Sequence, residues 1–129
     1  MKKVLFFALA LLVLVGCGGG GDSFDNRTQF EGFWSGTVVG GSNPAENMQI
    51  SVNSNGNISG SESVNGRTAA LTGFVEQDGT FQMTSRLSGE QDVVYQGDMY
   101  VNSNNRLIGQ GTATQGSTTV NLSFNLQRQ

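Results

Sequence analysis

The sequence predicts an all-β fold, an eight-stranded antiparallel up-and-down β-barrel, on three observations. From Glu31 onward, apolar and polar residues alternate in short runs, and no window of about 11 residues carries apolar side chains at helical spacing. Seven turn signals divide these runs: residues 40–47 around Pro44, Asn55-Gly56, Asn65-Gly66, Asp78-Gly79, Ser88-Gly89, residues 102–105, and Gln115-Gly116. Every turn is short, so sequence neighbours pair antiparallel, and closing such a meander into a barrel removes the two exposed edges that an open sheet would keep.

The chain begins with a different kind of segment. Lys2 and Lys3 precede residues 4–15, which hold no charged or polar side chain. Twelve apolar residues are too few to cross a bilayer, which needs roughly 20, but they suit the core of an export signal. At its end, Leu14-Val15-Gly16-Cys17 resembles the lipobox of bacterial lipoproteins, with a branched apolar residue three before the cysteine and a small residue directly before it. The resemblance implies lipid transfer to the Cys17 thiol, cleavage between Gly16 and Cys17, and acylation of the new N-terminus. Cys17 is the single cysteine, so no disulfide can form within the chain and the thiol is free for lipid. Several acyl chains on one residue anchor a protein stably, at about 0.8 kcal/mol per buried CH₂. The lipoprotein sorting pattern uses aspartate after the cysteine for inner-membrane retention, so Gly18 implies the outer membrane. The expected organisation is a signal at 1–16, a lipidated cysteine and flexible Gly-rich tether at 17–30, and a barrel at 31–129.

Strands are expected at 32–39, 47–53, 57–63, 67–76, 80–87, 92–101, 106–114 and 117–126. Their period-2 faces are legible. Met48, Ile50 and Val52, then Phe81, Met83 and Leu87, then Val93, Tyr95, Met99 and Val101, then Val120, Leu122, Phe124 and Leu126 form the inward set. Gln49, Gln82, Gln96, Asp98, Asn121 and Asn125 lie opposite and face water. A membrane-spanning barrel reverses this arrangement, with a polar lumen and an apolar belt, and a lipid-tethered domain has no need to span. Gly73, Gly97, Gly109 and Gly111 fall within strands, where glycine marks sharp coiling or leaves room for a bulky neighbour.

The opening strands, Gly32-Phe33-Trp34-Ser35-Gly36, then Asn47-Met48-Gln49-Ile50, then residues 52–60, resemble the start of the avidin and streptavidin barrels. More loosely they resemble lipocalins, which also open on Gly-x-Trp. The resemblance implies a calycin-like barrel with Trp34 as a structural plug at one end, its indole N–H reaching a backbone carbonyl or a polar group near the chain's end. Gly36 and Ser61-Glu62 stand where the biotin binders carry pocket residues, and Trp34 is the only tryptophan, so it is the barrel that the likeness implies rather than biotin as ligand.

Composition excludes much chemistry. There is no histidine, and lipid would consume the cysteine, so a nucleophile–base triad, a zinc site and a catalytic metal are not expected. No helix follows a glycine cluster, which leaves no dinucleotide motif and no expected cofactor. Glu62, Glu76 and Asp98 are the carboxylates nearest strand interiors and are expected on the solvated outer face. Asn53-Ser54-Asn55-Gly56 and Gln77-Asp78-Gly79 read as hairpin turns, lacking the carboxylates of a calcium loop. Without the signal the chain keeps five arginines against ten acidic residues, a net charge of −5 with the cations scattered, which argues against nucleic acid as a partner. The expected function is therefore non-enzymatic: an envelope lipoprotein, membrane-bound through its anchor, with a structural or interaction role through the barrel's surface and loops and an envelope protein as candidate partner. The alternative is a carrier for a small apolar ligand. The two differ in whether the lumen is full, and the bulky inward set favours packing.

Overall fold

The computed structural model describes residues 26–42 and 44–129. Gly16 and Cys17 lie outside the described residues. Eight strands, β1 (Gly32–Gly40), β2 (Glu46–Val52), β3 (Asn57–Val64), β4 (Arg67–Val75), β5 (Thr80–Arg86), β6 (Val93–Val101), β7 (Arg106–Gln115) and β8 (Thr118–Arg128), close into one barrel in sequence order. Closure comes from β1 pairing antiparallel with β8, with Trp34 opposite Arg128 and Gly40 opposite Leu122. Each strand lies within two residues of its sequence expectation, because the turns that end the strands carry their own geometry. Asn65 and Gly66 both adopt positive φ, 51° and 81°, between the paired residues Val64 and Arg67, the form of a two-residue hairpin that matches strand twist.

A short 3-10 helix, η1 (Asn26–Phe30), precedes β1. Phe30, its last residue, is buried in the core and holds the segment against the barrel. η1 lies at one end of the barrel with the start of β1, the end of β8 and the loops joining β2–β3, β4–β5 and β6–β7. These loops are tight and mutually bonded. Asn53 Oδ1 accepts from the backbone N–H groups of Asn55 and Asn57, Asp78 Oδ1 from that of Thr80, and Asn102 Oδ1 from those of Asn104 and Arg106. Gly56 O then accepts from Val75 N, and Gly79 O from Met99 N, both at 2.8 Å. At Gly79, a Cβ would collide with the Met99 carbonyl, so the loop reaches the next strand only because this residue is glycine.

The inward faces follow the expected register, with Met48, Ile50, Val52, Phe81, Met83, Tyr95, Met99, Leu122, Phe124 and Leu126 all buried. Outward positions such as Gln49, Gln82, Gln96, Asp98, Asn121 and Asn125 are exposed. The exposed large apolar side chains among the described residues are Phe33, Phe74, Tyr100 and Val120, on four different strands, which is not the continuous apolar belt of a lipid-facing barrel. No helix among the described residues is long and apolar enough to cross a membrane.

The strand glycines do two jobs. At Gly36, Gly60, Gly73, Gly97 and Gly111 the neighbouring strand's backbone occupies the space a Cβ would need, so the sheet coils tightly there. At Gly109 the Phe124 ring fills that space, and the same ring meets Phe81 edge-on with centroids 5.4 Å apart.

Candidate functional site

The two ends of the barrel are built differently. At the η1 end Trp34 is fully buried, and its indole Nε1 donates to the Phe30 carbonyl at 2.8 Å, a backbone acceptor in η1 rather than one near the chain's end. The chain's end is nevertheless present. The Arg128 guanidinium stacks 4.1 Å over the Trp34 ring and donates to Glu31 O, Gln29 O and Asn105 Oδ1 at 2.5, 3.1 and 3.2 Å. One cation thereby ties η1, the β6–β7 loop and the last strand over the indole. Phe30, Phe81, Leu107, Phe124 and Leu126 fill the lumen around it.

The opposite end is open. A cavity of about 500 Å³ runs into the barrel from the turns that join β1–β2, β3–β4, β5–β6 and β7–β8. Val38, Leu87, Val93, Ala113, Val120 and Leu122 give it apolar walls. The lumen is therefore full in one half only, although the inward side chains listed by sequence alternation had favoured packing throughout. Smaller or polar residues take the inward positions of this half: Glu62 on β3, Ala69 on β4, Ser85 on β5 and Ala113 on β7.

Glu62 corrects the expectation that it faces solvent on the outer wall. It is 4% exposed, points into the lumen, and lines the cavity. Alternation along β3 puts it on the face of Ile58, Gly60 and Val64, so the inward register carries it into the lumen. Glu76 is half-buried at the end of β4 and Asp98 is exposed, and neither joins Glu62.

Two hydroxyls meet Glu62 inside. Ser85 Oγ and Tyr95 OH each donate to Glu62 Oε2 at 2.5 Å, linking β3 to β5 and β6 across the lumen. A buried carboxylate must be bonded to persist, and these short charge-assisted bonds serve that need. Burial, the adjacent Glu62 charge and the bond to Glu62 push the Tyr95 phenol well above its ordinary value, with the Ser85 hydroxyl opposing them. Oε1 takes part in neither bond. Oε1 is thus the carboxylate oxygen left free of these two bonds, on a residue that lines the cavity.

The mouth is mainly acidic. Glu46 and Glu90 line it, and Arg67 is held back by the Ser88 carbonyl and by Glu90, 4.0 Å away. Gln115 Nε2 donates to Gln91 O at 2.8 Å across the rim. Ser85 and Tyr95 were legible as partners only through register, since Ser85 interrupts the run Phe81, Met83, Leu87 with a polar inward residue. Among the described residues, no group of three or more His, Cys, Asp or Glu side chains could hold a metal ion. Comparison of the chain with protein-family models, with curated proteins and with solved structures gave no match.

Proposed function

We propose that this chain is a lipid-anchored carrier of the bacterial envelope that holds a small, largely apolar molecule in the open half of a calycin-like barrel. The observation that carries the reading is the cavity of about 500 Å³, within the usual range of small-molecule sites, with apolar walls and a few polar groups converging on one point. The interaction role expected from the sequence rested on a filled lumen, and with half of the lumen open the carrier reading takes its place.

The anchor is part of the proposal and rests on Leu14-Val15-Gly16-Cys17. A tether from a lipidated Cys17 would join the barrel through η1, at the closed end. The test is native mass spectrometry of the protein extracted from its own envelope. A co-purifying small molecule lost on substitution of cavity residues supports the carrier. A bare protein that also takes up no small apolar probe would overturn it. In the same sample, a diacyl-modified N-terminal Cys17 and release of Cys17→Ala from the membrane fraction are the outcomes expected of the anchor; an unmodified thiol would refute it.

A further inference from the structure

We infer that the cavity selects a small amine, an apolar body bearing one protonated nitrogen, which Glu62 Oε1 receives at the cavity's inner end. This rests on the carrier reading and specifies its ligand class. The argument is one of donors and acceptors. Ser85 and Tyr95 each have one hydroxyl proton, and both protons are committed to Glu62 Oε2. What the cluster offers a ligand is therefore acceptors only: the Oε1 oxygen and the remaining hydroxyl lone pairs. An anion placed there would meet no donor and would face the carboxylate. A neutral hydrocarbon would leave Oε1 without a partner once it displaced water from the cavity, which is costly for a charged oxygen. A protonated nitrogen satisfies both charge and geometry.

The rest of the cavity agrees. At the mouth Arg67 turns to Ser88 and pairs with Glu90, which leaves Glu46 as the surplus negative charge among these three groups. Such a mouth concentrates cations and repels anions. Between mouth and floor the walls are Val38, Val93, Ala113, Val120 and Leu122, which match an apolar body. The two hydroxyls also fix the carboxylate before the ligand arrives, so little ordering cost remains for binding.

The experiment compares three ligands of one shape: cyclohexylmethylamine, cyclohexylmethanol and cyclohexanecarboxylate. Each is titrated calorimetrically into the full-length protein held in phosphatidylcholine nanodiscs, with empty nanodiscs as the blank. A hydrogen bond to a charged group predicts that the amine binds about ten- to a hundredfold tighter than the alcohol, with the carboxylate weakest. Glu62→Gln keeps an acceptor for Ser85 and Tyr95 but removes the charge, so it should erase the preference for amine while leaving alcohol binding in place. Val120→Trp, at an exposed lining position, should block amine and alcohol together.

Alcohol binding as tight as amine binding, or an amine preference that survives Glu62→Gln or Val120→Trp, would overturn the inference and leave the carrier reading standing. Failure of all three ligands to bind would overturn both. The ligand series on the unmodified protein decides the matter even if Glu62→Gln does not fold.

Discussion

Tyr95 on β6 donates its hydroxyl to Glu62 on β3 at 2.5 Å, so a bond between two inward side chains spans the lumen at the boundary between its packed and open halves. Both side chains are buried and the acceptor is a carboxylate, so the bond belongs to the stronger class. Tyr95→Phe removes it and leaves Ser85 as the carboxylate's remaining donor. The expected loss is about 1.5–3 kcal/mol of unfolding free energy by denaturant titration. A double-mutant cycle with Glu62→Ala, which removes the acceptor, should show coupling, and additive losses would mean that the bond contributes nothing of its own.

The same pair predicts alkaline instability. The native Tyr95 phenol holds its proton above the ordinary tyrosine value, for the reasons of burial and the neighbouring Glu62 charge, whereas the unfolded chain releases it near pH 10. The native state then binds more protons than the unfolded state above that pH, so this group's contribution is complete below about pH 10 and declines as pH rises beyond it. In a Tyr100→Phe background, tyrosinate absorbance should appear only together with unfolding. Its appearance in the folded protein near pH 10 would contradict the buried bond.

Trp34 carries the closed end. Truncation of a fully buried tryptophan costs about 3–5 kcal/mol, and Trp34→Ala also removes the surface on which Arg128 stacks. The melting temperature should fall steeply. Native tryptophan emission should be blue-shifted and poorly quenched by acrylamide, and red, freely quenched emission would place the indole in water. Arg128→Ala should cost less than Trp34→Ala, because the indole bond to Phe30 survives it.

Gly109 separates close approach from mere absence of a side chain. Gly109→Ala forces the Phe124 ring off its site and away from Phe81, an overpacking cost of about 1–3 kcal/mol. Gly40→Ala, where no atom lies within 4 Å of the added carbon, should be close to neutral by thermal melting. Equal effects at the two positions would refute the packing account.

Much of this fold was legible in the sequence because its signals are local. Asn65-Gly66 specifies a tight turn through the backbone preferences of two residues, and Phe81-x-Met83 or Leu122-x-Phe124-x-Leu126 specifies a strand face through the two-residue repeat of the pleat. Strand number, order and antiparallel pairing follow from those signals, since short turns admit few other connections. The expectation that Trp34 lies at one end of the barrel came from the likeness of the opening strands to calycin-like barrels, not from a local signal.

The site was not legible in that way. On β3, Glu62 sits among Ser59, Gly60, Ser61 and Ser63, where alternation of apolar and polar residues is too weak to mark a face, and a lone glutamate in such a run reads as solvated. Only closure of the barrel, which brings β5 and β6 round to face β3, supplies the Ser85 and Tyr95 hydroxyls that let a carboxylate stay inside. Likewise, sequence alternation determined which side chains point inward but not how far they fill the space. The cavity exists because small inward residues at one end, Ser85 and Ala113, come from different strands, and their volumes add only across the closed barrel. Local backbone chemistry thus determined the eight strands and their faces, while the open half and its buried carboxylate arose from contacts between residues far apart in the chain.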